Sequence, residues 1–162
     1  MTKSLLGIVL PKVSGVSISD ILTRVKIGVM TKRRIGTIVV PPGVFVNIHE
    51  KRTVDFLAVN IGYDVTFLMP DRHKGAKTPD IEMNGLLWEI KSPTGKSSRT
   101  IENNLRLALL QSSNIIFDLR RMDGRIPTKK LLDEVRRQFA LAKTIRRIIV
   151  ITRQEGHIDF ER

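Results

Sequence analysis

The chain has 162 residues with 28 Lys and Arg against 16 Asp and Glu, a formal net charge of +12 and a pI near 10.6. Hydrophobic residues make up 41% of it, which excludes a disordered chain and leaves one domain with an appended arm as the expectation. No stretch approaches the ~20 apolar residues of a membrane span, residues 5–10 are too short for a signal peptide's apolar region, and the absence of cysteine removes disulfides, thiolate zinc sites and cysteine nucleophiles. Charge of this sign on a folded domain points to a polyanionic partner, nucleic acid or an acidic membrane surface.

Half of the excess charge lies in residues 1–46, where Lys3, Lys12, Arg24, Lys26, Lys32, Arg33 and Arg34 face one acid, Asp20. This arm is expected to supply phosphate contacts rather than chemistry. Within it, residues 37–40 have the composition of a strand closed by Pro41 and Pro42. The domain proper is expected over residues 47–162. Asn47 and Glu50 have capping-box spacing, and Val54, Leu57, Ala58 and Ile61 then follow at helical intervals until Gly62 stops the helix. Residues 63–69 alternate as a strand with Val65, Phe67 and Met69 inward. Residues 70–78 form a polar, basic loop.

Asn84-Gly85 is the strongest short hairpin signal, because a type I′ turn needs positive φ at both central residues. A two-residue turn there pairs Met83 with Leu86, Ile81 with Trp88 and Asp80 with Glu89. Alternation puts Ile81, Met83, Leu86, Trp88 and Ile90 on one apolar face and Asp80, Glu82, Glu89 and Lys91 on the other, expected to be exposed. Further on, helices are expected over residues 100–112 and from Thr128, which can cap the second of them. Strands are expected over 114–119 and 145–152, with a final short segment at 157–160. The order reads as a mixed sheet covered by helices.

Two carboxylates opposite one another across a strand pair stand about 5 Å apart at Cβ and repel unless a positive group lies between them. Mg²⁺ or Mn²⁺ meets that demand, since such ions are held by one or two carboxylates together with phosphate oxygens and water. Lys91 lies about 6.6 Å beyond Glu89 on the same face, placed to orient a water or offset phosphorane charge. A solvated face in which Lys91 simply pairs with an acid is the alternative, worth less than ~1 kcal/mol.

Pro79-Asp80, then eight residues, then Glu89-Ile90-Lys91 resembles the motif of the PD-(D/E)XK nuclease superfamily. That resemblance implies a restriction-endonuclease-like α/β fold with an α-β-β-β-α-β core. It implies Asp80 and Glu89 as metal ligands, Lys91 as the residue that positions the nucleophile, and Glu50 as the family's helical glutamate. Glu50 is equally well explained as the capping partner of Asn47. More narrowly, the runs from Trp88 to Lys96, Arg99 to Arg106 and Gln111 to Leu119 resemble the C-terminal tRNA-cleaving toxin domains of contact-dependent growth inhibition proteins. The resemblance covers about residues 47–160.

It implies a divalent-metal-dependent nuclease acting on RNA, and on tRNA above all, in the cytoplasm of its target. A cognate immunity or inhibitor protein is the implied protein partner, and export within a toxin system stays open, as does oligomeric state. For substrate contacts the resemblance and the loop after Lys91 point to Lys96, Arg99, Thr100, Arg106 and Gln111, and His73 stands in the basic loop ahead of Asp80. Gln111 also reads as an ordinary polar helix end. A DNA endonuclease or junction resolvase on the same fold, and a non-catalytic nucleic-acid-binding module, remain the rival readings.

Overall fold

The computed structural model describes residues 34–71, 73, 77–97 and 99–162. Residues 5–10, and the arm cations from Lys3 to Arg33, lie outside them. A seven-stranded mixed sheet runs in chain order: β1 (Ile38–Val39), β2 (Val65–Phe67), β3 (Ile81–Met83), β4 (Leu86–Lys91), β5 (Asn114–Asp118), β6 (Arg147–Ile151) and β7 (His157–Glu161). The pairs β1-β2, β4-β5 and β5-β6 are parallel and the other three antiparallel. Three helices complete an α/β fold: α1 (Ile48–Phe56), α2 (Arg99–Ala108) and α3 (Thr128–Leu141). Among the described residues no helix is long and apolar enough to cross a membrane.

The helices cover both faces of the sheet. Val54, Phe56 and Leu57 of the first helical segment pack on Val65, Phe67, Ile81, Met83, Trp88, Ile90, Ile116 and Ile149. On the opposite face, Ile101, Leu105 and Ala108 of α2 and Leu131, Val135 and Phe139 of α3 pack on Ile115, Phe117, Ile148, Val150 and Phe160. Adjacent residues Ile115 and Ile116 therefore serve different cores, as the period of two in a strand requires.

The hairpin adopts the expected register, Met83 with Leu86 and Ile81 with Trp88, around Asn84 (φ 55°) and Gly85 (φ 70°). At α1, the Asn47 side chain accepts a 2.8 Å bond from the His49 N–H. The helix widens by one residue per turn over Leu57–Ile61 and ends on Gly62 at φ 89°. Two expectations are corrected. Met69 is 55% exposed, because β2 stops at Phe67 before that side chain can turn inward. The residue capping α3 is Pro127, without a side-chain cap bond; the Thr128 hydroxyl is engaged instead by Arg153, 3.1 Å away.

Residues 34–39 belong to the sheet through close backbone contact. Asp64 accepts from the Thr37 N–H and hydroxyl, both at 2.8 Å, and pairs with Arg34. Arg34 is thus committed to Asp64 within the fold, although the arm cations are expected to face phosphate. A methyl group on Gly36 would stand 2.0 Å from the Tyr63 carbonyl oxygen, and backbone cannot yield as a flexible side chain does. Gly36→Ala is therefore expected to cost about 1–3 kcal/mol, visible as a lowered thermal midpoint. An unchanged midpoint would mean that β1 adds nothing to stability.

Candidate functional site

Asp80 is pinned at the mouth of the hairpin. Its backbone N–H bonds the Trp88 carbonyl at 3.0 Å, its carbonyl accepts from the Leu68 N–H at 2.9 Å, and its carboxylate accepts from the Ile90 N–H at 2.7 Å. Asp80 thus bonds the residues on either side of Glu89. Its carboxyl is raised above the usual range, first by burial, with the Ile90 N–H and Lys91 opposing.

Glu89 is 1% exposed, which corrects the expectation of an exposed acidic face. Its strand neighbour is Ile115 of β5, and α2 packs over this side of β4 and β5, so the face opposite the hairpin's apolar one is also roofed. Burial pushes the Glu89 carboxyl up to about 7; the Asp80 carboxyl adds to the rise and Lys91 opposes it. Oxygen Oε1 accepts from both the Lys91 ammonium and the Gln111 side-chain amide. Oxygen Oε2 is buried and meets no hydrogen bond. A buried carboxylate oxygen without a partner is costly, and the neighbouring Asp80 carboxyl is the group that acts on this one.

Glu50 reaches the same electrostatic neighbourhood from the first turn of α1. It is half-buried, and its carboxyl is raised, first by burial and then by the charge of Asp80, while the Asn47 N–H and Lys91 pull it down. Its place at the start of α1 is the one a capping partner of Asn47 occupies, and it lies within the electrostatic reach of Asp80 and Lys91 as well.

The structure therefore brings Glu50, Asp80, Glu89, Lys91 and Gln111 into one cluster. Lys96, Arg99 and Arg106 are exposed and none of them bonds to these carboxylates. Thr100 packs against Gly95, where an added methyl would meet its hydroxyl at 2.4 Å, so it shapes the loop leaving Lys91. His73 is exposed and bonds Asp71 through its Nδ1 at 2.5 Å, apart from the cluster.

Asp80, Glu89 and Glu50 do not make a ready three-ligand cage: among the described residues no group of three or more His, Asp or Glu side chains could hold an ion. A buried carboxylate with one open oxygen beside a second carboxylate does suit Mg²⁺ or Mn²⁺, which dehydrate reluctantly and complete their shell with water and phosphate oxygens. Asp80 and Glu89 fit such an ion.

A second group, which the hairpin motif does not signal, lies beside this one. Asp118, 2% exposed, accepts from the Thr53 hydroxyl at 2.8 Å and from Arg120 Nε and Nη2 at 3.0 and 2.6 Å. Arg121 Nη1 reaches the Ser92 carbonyl at 3.0 Å. The available signal was Asp118-Leu119-Arg120-Arg121 at the end of a strand, since sites in α/β sheets gather at the carboxyl ends of parallel strands.

Residues 77–156 match the sequence model of the contact-dependent growth inhibition CdiA C-terminal domain. The solved structure of a CdiA-CT/CdiI toxin and immunity complex from Burkholderia pseudomallei is similar to this chain with a TM-score of 0.58 at 21% identity, over 78% of this chain and 100% of that one. No curated protein matches. The structural likeness shows the α/β fold. The matched stretch takes in Asp80, Glu89, Lys91, Gln111 and Asp118, so the chain is similar to the CdiA C-terminal domain family over most of the cluster, with Glu50 contributed from outside that stretch.

Proposed function

We propose that the chain is a toxin domain of the contact-dependent growth inhibition kind whose activity is divalent-metal-dependent hydrolysis of phosphodiester bonds in RNA, tRNA in particular. The observation that supports this reading is the buried Glu89 carboxylate, with Oε1 held by Lys91 and Gln111, Oε2 without a partner among the described residues, and the Asp80 carboxyl acting on it. A divalent ion there would acidify water and stabilise charge on the transferring phosphoryl group. Asp80 is locked by three backbone bonds, and a fixed ligand of this kind loses little on binding. Gln111 donates to Oε1 of Glu89 and so fixes the orientation of that carboxyl. Lys91 shares the neutralisation of both acids and stands where an ammonium can orient the attacking water and offset charge on the phosphorane.

The motif resemblance to PD-(D/E)XK nucleases supports the same roles, and the resemblance to tRNA-cleaving toxin domains supports RNA. The relative from Burkholderia pseudomallei is described as a toxin in complex with an immunity protein; by that likeness this chain has a cognate immunity protein too. End-labelled tRNA, duplex DNA and a four-way junction, digested side by side with Mg²⁺, test the reading. Cleavage of tRNA alone is the expected result. Preference for the junction or the duplex would assign a DNA enzyme of the same fold, and binding without cleavage of any of them would leave a non-catalytic module.

A further inference from the structure

A cleft of about 190 Å³ opens beside the acidic cluster, lined by His49, Arg52, Ser92, Asp118, Arg120 and Arg121. Three guanidinium groups face one carboxylate there, so its formal charge is +2 before His49 is counted. The three arginines are held to different degrees. Arg120 is fixed: its guanidinium forks onto Asp118, donates to the Arg52 carbonyl at 3.0 Å and lies 5.2 Å over the Phe56 ring. Asp118 neutralises it, and its part is to shape the wall. Arg121 spends one nitrogen on the Ser92 carbonyl and keeps the rest of its fork open to solvent. Arg52 is exposed, and among the described residues its guanidinium makes no hydrogen bond or ion pair. His49 adds a buried Nδ1 without a partner.

The Arg52 fork and the remaining nitrogens of the Arg121 fork, on separate elements lining one cleft, match the oxygens of a phosphate better than any neutral ligand. The position of the cleft says which phosphate. His49 immediately precedes Glu50 and Ser92 immediately follows Lys91, so both walls are one residue from the acidic cluster. A polynucleotide strand carries phosphates at intervals of a few ångströms, and one bound at the acids brings its neighbour to this distance.

We infer that this cleft seats the backbone phosphate adjacent to the bond that is cut, with Arg52 and Arg121 as its binding residues and Arg120 as the residue that positions them. The inference rests on the nuclease reading for the identity of the polyanion, and its test is independent of turnover. The probe is a fluorescein-labelled 12-nucleotide 2′-fluoro RNA in EDTA, which neither a metal-dependent route nor attack by a 2′-hydroxyl can cleave. Binding is read by anisotropy over a range of salt concentrations.

The double variant Arg52→Ala/Arg121→Ala is expected to bind at least 10-fold more weakly at low salt. Its slope of log K against log[salt] should be flatter by about 0.7, one phosphate on a single strand. Arg52→Ala alone, which breaks no bond in the fold, is expected to weaken binding at least 3-fold. The control is Lys143→Ala/Arg146→Ala, which removes the same charge just ahead of β6, at the opposite end of the parallel strands, and should change binding less than 3-fold. Equal losses in the two double variants, or wild-type binding by the cleft variant, would overturn the seat. If the seat variants lose binding while the wild-type protein cleaves no nucleic acid, the cleft stands as a seat for a backbone phosphate and the nuclease reading falls. If the protein is a nuclease but the cleft variants bind as wild type, only the seat falls.

Discussion

Glu89→Gln, Asp80→Asn and Lys91→Ala are each expected to lower the rate of RNA hydrolysis at least ~10²-fold, the scale on which single electrostatic contributors to a transition state act. The three should differ in stability, because their surroundings differ. Glu89→Gln keeps shape and volume and removes a buried charge. Asp80→Asn leaves an oxygen to accept the Ile90 N–H that the carboxylate now holds at 2.7 Å. Lys91→Ala leaves the fully buried Glu89 without its cation, and a carboxylate buried without its partner is the costly outcome, whereas Lys91 is partly exposed and can be hydrated when Glu89 is replaced. Circular dichroism and thermal melts alongside the kinetics separate lost chemistry from lost fold. Near wild-type rates in all three folded variants would assign the acidic cluster no part in catalysis.

The second large effect concerns pH. Glu89 is buried, with its carboxyl raised from an ordinary 4.5 to about 7, so the folded protein binds a proton here that the unfolded chain has already released. Stability contributed by this group is complete below about pH 4.5, falls as pH rises toward 7 and is level above it; the total loss is about 3 kcal/mol. Glu89→Gln cannot ionise and escapes that loss. At pH 8 the variant is expected to melt roughly 5–10 °C above wild type, with the difference closing near pH 4.5. Its gain in stability should accompany its loss of activity, the relation expected where an active site stores unfavourable charge. A variant that melts no higher than wild type at pH 8 would mean that Lys91 and Gln111 already compensate the ionised carboxylate.

Much of the hairpin was legible because its determinants are local. Asn84-Gly85 dictates the turn, the turn sets the register, and the period of two sorts Ile81, Met83 and Trp88 from Glu89 and Lys91. Alternation says which residues share a face and is silent about what covers it. The sequence reads Glu89 as a solvent-facing acid because charged residues usually face water. It is buried because β4 pairs in parallel with β5, and a parallel connection returns through a helix that roofs the sheet. Thr128 fails as a cap for a similar reason: Arg153 and Gln154, distant in sequence, compete for its hydroxyl. The basic cleft was hidden because His49 and Arg52, Ser92, and Arg120 and Arg121 lie in three separate segments. Only the order of the strands brings the ends of β4 and β5 to the start of α1.

The central claim, metal-dependent hydrolysis at Asp80 and Glu89, is tested most directly by following one end-labelled tRNA with wild-type protein in Mg²⁺ and in EDTA and determining the termini of the fragments. Cleavage in Mg²⁺ that stops in EDTA, returns when Mg²⁺ or Mn²⁺ is restored and leaves no cyclic phosphate is the predicted result. Full activity in EDTA with 2′,3′-cyclic phosphate ends would mean attack by the ribose 2′-hydroxyl and would contradict it.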